Sequence, residues 1–202
     1  MSNPVAYFDV LSLGCKMTDL VEGFSRPELH LFAYAACLLS IYEGQPASDW
    51  GYEFVAAGTG LPYAKEFDEA VDDGIALMQI EQKGNLLVLT PDGRSELEIL
   101  HELEGNKLRE RFLTGAADAL LVLNPGNVRE AFYYDPAISY LKEGNRTDWL
   151  LNGPVEERLY INFQQLRQVL KSESHDLSVP LVTWLKYLLQ VGRAPENAGH
   201  EN

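Results

Sequence analysis

The chain has 202 residues, 46% of them hydrophobic, enough for one large or two small domains around a real core. No apolar run approaches the length of about 18 residues that a membrane-spanning helix needs. The net charge of −14 is lopsided, with 18 Asp/Glu against 5 Lys/Arg in residues 1–104 and 12 against 11 in residues 105–202, so the first half is poorly suited to neutralising phosphates.

The N-terminus has no basic segment ahead of its apolar residues, so no signal peptide is read and a cytoplasmic protein is expected. Two cysteines, Cys15 and Cys37, without a Cys-x-x-Cys pair fit a reducing compartment. Residues 1–26 read as an N-terminal arm, with a short strand or extended piece over 5–13. Ser25 with Glu28 three residues on has the capping-box pattern, and Pro27 suits an early helical position, so a helix is expected from there to Gly44. Its apolar residues surround almost the whole circumference, as in a helix at the centre of a core. Ser48 is read as the cap of a second helix over 49–57, and residues 62–78 as a third. Gly74 inside the third costs on the order of 1 kcal/mol relative to Ala and marks close packing or a weak point.

Two short alternating runs follow, 79–83 and 86–90, with Gly84-Asn85 at the tip of a hairpin and Ile80, Leu87 and Leu89 on its buried face. Thr90-Pro91-Asp92-Gly93 opens a helix over 94–104. The order helix, hairpin, helix, with Ile80-Glu81, Gly84 and Leu89-Thr90-Pro91-Asp92-Gly93, resembles winged-helix proteins of the bacterial-regulator type over residues 27–104. More loosely, the architecture is similar to the small winged-helix subunits of SMC-type complexes and the middle components of three-component ATPase defence systems. The expected fold is therefore mainly α with a small β-hairpin: a winged-helix domain (27–104) extended by a helical C-terminal region (105–192) and a disordered tail (193–202). Gly105-Asn106 is read as a break, followed by helices over 107–123, 136–141, 156–171 and 179–191, a short aromatic stretch over 128–134, and polar loops over 143–153 and 172–178.

In a DNA-reading winged helix the third helix enters the major groove. Here that helix carries Glu66, Asp68, Glu69, Asp72 and Asp73 against Lys65 alone, which sets carboxylates against phosphates. A solvated acidic face is the plain interpretation; a face that docks a basic protein surface is the functional one. Trp50, Tyr52 and Phe54, beside Gly-rich connections, form a candidate aromatic anchor patch. If DNA is touched, the candidates are Lys65, Lys83 and Asn85 at the hairpin, Arg94, and the cluster Lys107, Arg109 and Arg111. The four histidines are scattered, no nucleotide-binding or nucleophile motif occurs, and adjacent acids on a helix point about 100° apart. No cofactor, metal or catalytic site is expected. Two function classes remain: a non-catalytic winged-helix adaptor binding a larger protein, such as a coiled-coil ATPase, within a DNA-handling and antiviral-defence assembly; or a dimeric DNA-binding transcription regulator.

Overall fold

The structure, a computed structural model, describes residues 3–21, 23–58, 60–123, 125–144, 149–170 and 176–193. Residues 5–13, expected as a strand or arm, instead form the middle of a buried helix, α1 (Pro4–Leu20). Asn3 Oδ1 accepts the N–H groups of Val5 at 3.0 Å and Ala6 at 3.3 Å, and Pro4 takes an early helical position. Phe8, Val10, Leu11 and Leu13 are buried, and so are Asp9 and Ser12. This stretch is apolar on every side, so neither a period of two nor one of 3.6 stands out in it. The helix satisfies all its faces by packing against α2, α3, α4, α5 and β4.

Helix α2 (Arg26–Tyr42) matches expectation. The Glu28 carboxylate accepts the Ser25 N–H at 2.8 Å, and every residue from Leu29 to Tyr42 is buried. The expected helix over 49–57 does not form. A 3₁₀ turn (Ala47–Trp50) ends at Gly51, held at φ 93°, and the chain then runs extended into β1 (Val55–Ala56), which pairs antiparallel with β2 (Pro62–Tyr63). The left-handed glycine stops the helix, and beyond it Tyr52 and Phe54 alternate with Glu53 in a period of two. Helix α3 (Lys65–Ala76) accordingly begins three residues later than the 62–78 expected.

The hairpin has the expected form. β3 (Ile80–Lys83) pairs with β4 (Leu86–Leu89) from Ile80↔Leu89 to Lys83↔Leu86. On its far side β4 exchanges both backbone hydrogen bonds between Leu87 and Phe24, and the Leu89 N–H donates to Thr18 Oγ1 of α1 at 3.1 Å. Helix α4 (Pro91–His101) starts at the proline, with Thr90 Oγ1 capping the Gly93 N–H. Its break from α5 (Glu104–Val122) falls at Glu102-Leu103, and Gly105 lies inside the first turn of α5. Helices α6 (Pro125–Tyr133), α7 (Pro136–Gly144), α8 (Gly153–Leu170) and α9 (Ser178–Arg193) follow. The short aromatic stretch over 128–134 is thus mostly α6. Of the polar loop over 172–178, residues 172–175 lie outside the described residues and Ser178 already begins α9; of the tail over 193–202, all but Arg193 lies outside them.

Helix α5 packs on α1, α2 and α9, so the second half shares one apolar core with the first. Within that core Tyr34 of α2 donates its hydroxyl to Asp135 Oδ1 at 3.1 Å, and the Ala137 N–H donates to the same oxygen at 2.9 Å, capping α7. Burial pushes the Asp135 carboxyl up to about 6, against the pull of these donors.

Two glycines measure how tightly the hairpin is seated. A Cβ on Gly74 would stand 2.8 Å from Ile80 Cδ1, which identifies close packing as its role; one on Gly93 would stand 2.3 Å from the Gln79 carbonyl oxygen, with no side chain to yield. Gly93→Ala should therefore cost about 2–3 kcal/mol, while Gly105→Ala, in open space on a helix, should be neutral or stabilising by up to about 1 kcal/mol; urea denaturation reads both. Asp135 has a folded-state value above the ordinary 3.8, so the stability it contributes is complete below that pH and is lost as the pH rises through about 6. Asp135→Asn removes the dependence: its unfolding free energy relative to the parent should fall by on the order of 3 kcal/mol between about pH 7.5 and about pH 4.

Candidate functional site

Helix α3 turns Phe67, Ala70, Val71 and Gly74 into the core, which leaves Lys65, Glu69 and Asp72 outermost and Glu66, Asp68 and Asp73 on the flanks. The five acids are not one continuous face. Arg26, at the start of α2, donates to Asp68 Oδ1 at 3.0 Å and to Asp72, neutralising the flank that faces α2. Tyr63 donates to Asp68 Oδ2 at 3.4 Å. His30 Nε2 lies 3.6 Å from Asp68, while its Nδ1 accepts the Ala64 N–H. Burial lowers the His30 imidazole to about 4 despite the attraction of Asp68, so its contribution to stability is present above 6.5 and is lost as the pH falls toward 4. This is opposite in sign to Asp135.

On the other flank, Asp73 is near enough to Tyr7 of α1 to help raise its phenol, after the larger effect of burial. Glu69 pairs with Lys65 at 3.4 Å. Glu66 faces Glu53 of the extended segment; burial first, and then the charge of Glu66, push the Glu53 carboxyl up. Among the described residues no cation lies within ion-pair distance of either glutamate.

The aromatic anchor expected at Trp50, Tyr52 and Phe54 is not on the surface: all three are buried. Their period of two is the pattern of an extended segment with one face inward, and that face meets α1, α2 and α5. The exposed aromatic of the region is Trp149, half in solvent, whose backbone bridges to Val55 while the Leu150 N–H donates to Phe54 O at 2.7 Å. A cavity of about 180 Å³ lies between Glu53, Phe54, Trp149 and Glu156. Trp149 and Glu53 are the surface residues that sequence reasoning missed. The bridge that brings residue 149 to residue 55 is non-local and leaves no trace in composition or spacing.

The candidate DNA contacts are mostly spent on carboxylates. Lys83 pairs with Glu81 at 3.1 Å, Arg94 with Asp19 at 2.6 Å and Lys107 with Glu104 at 2.6 Å. Asn85 is exposed at the hairpin tip and Arg111 is exposed on α5.

Arg109 is the clear departure. It is a core residue: Nε and Nη2 grip the fully buried Asp9 carboxylate at 2.5 and 2.6 Å, Nη1 donates to Trp50 O at 2.8 Å, and Cζ stacks 3.7 Å from the Trp50 ring centroid. Tyr52 donates its hydroxyl to Asp9 Oδ2 at 2.6 Å. Burial pushes the Asp9 carboxyl up, against the pull of Arg109 and Tyr52. Burial also opposes the charge on Arg109, but Asp9 outweighs it and the guanidinium moves up. No phosphate can reach this side chain without unpairing Asp9.

The chain matches no family model, no curated protein and no solved structure.

Among the described residues no three His, Cys, Asp or Glu side chains are placed to hold a metal ion, and both cysteines are free thiols. The surface offers the outward spine of α3, the Glu53–Glu66 pair of acids, which among the described residues has no cation at ion-pair distance, and Trp149 beside them. Arg109→Ala should lower the unfolding free energy by roughly 3–5 kcal/mol, because it strands a buried carboxylate. Lys107→Ala and Arg111→Ala, both on exposed side chains, should stay within about 0.5 kcal/mol. Denaturant titration separates the two outcomes.

Proposed function

We propose that this chain is a non-catalytic adaptor: a winged-helix subunit that docks a basic surface of a larger cytoplasmic protein, within a DNA-handling assembly of the kind built on coiled-coil ATPases. The observation that carries the reading is electrostatic. The helix that would enter a groove presents carboxylates, and Lys65, Lys83, Arg94, Lys107 and Arg109 are each paired to an acid of this same chain. A protein that grips phosphates leaves its cations free to displace counterions. The succession of α2, α3, the β3–β4 hairpin and α4 supports the winged-helix description, and the antiviral-defence setting follows only from that likeness.

The docking surface in this reading is Glu53, Glu66 and Glu69 with Trp149 as its apolar anchor. Acids around a half-exposed tryptophan suit a partner segment that carries Lys or Arg on either side of an apolar residue. The rival account, a dimeric DNA-binding regulator, would need α3 and the hairpin tip to approach a duplex with the exposed Arg111, which among the described residues makes no ion pair, as a phosphate contact.

A titration with duplex DNA at low salt decides between them. The adaptor reading expects no salt-sensitive binding tighter than about 10⁻⁴ M. Submicromolar binding that weakens steeply with salt overturns it. With the partner co-expressed and purified, Trp149→Ala and Glu53→Lys should each weaken the complex at least about tenfold and leave the unfolding midpoint unchanged.

A further inference from the structure

The hairpin carries an unused edge. Leu87 spends both its N–H and its C=O on Phe24, and Leu89 turns its N–H to Thr18, so neither bonds to β3. Their cross-strand partners are Gln82 and Ile80. In an antiparallel ladder, residues of such a non-hydrogen-bonded pair direct their own N–H and C=O away from each other's strand. The backbone groups of Gln82 and Ile80 therefore face outward, and among the described residues no strand pairs with that side. Glu81, Gln82, Lys83 and Gly84 are all exposed there, while Ile80 is buried where the edge closes against α3.

We propose that this edge pairs with the same edge of a second copy, as a two-fold antiparallel ladder centred on Gln82. The register follows from charge. Two-fold pairings that set outward-facing groups against each other can be centred on residue 81, 82 or 83. Centring on 81 opposes Glu81 to itself, and centring on 83 opposes Lys83 to itself; like charges directly opposite repel. Centring on 82 opposes Glu81 to Lys83 of the second copy, twice, and lets the two Gln82 backbones exchange both hydrogen bonds. A lone lysine blunts an edge against every strand. A lysine and a glutamate two residues apart on one face exclude most registers and accept this one.

A second observation points to the same contact. Met78 closes α3 in a left-handed conformation, φ 58°, with its N–H on Ile75 O and the next N–H on Gly74 O, a position that suits glycine. Its side chain is nonetheless 73% exposed. Centring on 82 sets Ile80 opposite Gly84 of the second copy, so the exposed Met78, two residues before Ile80, stands near that copy's hairpin tip. The edge is short, well below the area of a standard stable interface, so the dimer belongs to the weak and transient class.

The test is sedimentation equilibrium of the full chain at rising concentration, with circular dichroism confirming that each variant is folded. The unaltered protein should dimerise reversibly. Glu81→Lys and Lys83→Glu should each weaken self-association at least about tenfold. The two single variants mixed should form a heterodimer, and the double swap in one chain should restore the homodimer. Gln82→Pro removes an outward N–H without touching the β3–β4 ladder and should abolish pairing. A protein that stays monomeric up to about 1 mM overturns the proposal, as does a dimer indifferent to Glu81→Lys or a mixture that fails to pair. The readout is mass, so it stands or falls separately from the adaptor reading.

Discussion

The arrangement depends on one buried ion pair. Asp9 sits on α1, Arg109 on α5, and Tyr52 and Trp50 on the segment between α2 and α3. No two of these segments are neighbours in sequence, and the pair is satisfied only when all of them are in place. Taking both charges out of water is costly, and removing one partner costs more than the pair yields. Its contribution is therefore best described as specificity: α1 has one rotation about its axis that delivers Asp9, and that rotation also presents Thr18 to β4 and Phe8, Leu11 and Leu13 to the apolar core.

That constraint propagates to the surface. With α1 fixed, the hairpin is clamped between Phe24 and α4, and Gly93 lets the α4 backbone press against Gln79. The 50–54 segment turns its aromatics inward to serve the ion pair, which leaves Glu53 pointing out beside Glu66 and gives residue 149 an extended backbone to bridge. The acidic surface and its tryptophan are thus consequences of how the core is pinned.

Charge is distributed on two scales. Globally the first half is strongly acidic. Locally most of its cations are committed within the molecule, with Arg26 drawing Asp68 and Asp72 back toward α2. Among the described residues the acids with no cation within ion-pair distance there are Glu53 and Glu66, fewer than a count along α3 implies. The hairpin repeats the theme on a smaller scale, with Glu81 and Lys83 in balance on a short strand.

The sequence by itself determined the mainly helical class, α2 with its capping box, and the hairpin register. Each is set by local terms: a cap three residues from its partner, a turn at Gly84-Asn85, and alternation over four residues. The sequence also carried the sign of α3, because a count of carboxylates needs no coordinates. Only the tertiary structure decided the state of α1, whose apolar residues fit either period until five neighbours enclosed them. The tertiary structure also moved Arg109 from surface to core. In sequence Arg109 is one of three bases in a row of helix, and nothing local distinguishes it from Lys107 or Arg111. Its burial is decided by Asp9, one hundred residues away. Likewise Trp50, Tyr52 and Phe54 read as an anchor patch until α1 and α5 covered them, and Trp149 came to stand exposed beside that segment through a bridge to Val55, nearly half the chain away. Local chemistry sets the elements that carry a cap, a turn or a clear alternation; long-range packing sets the rest, and long-range pairing of charges and backbone sets which side chains the solvent meets.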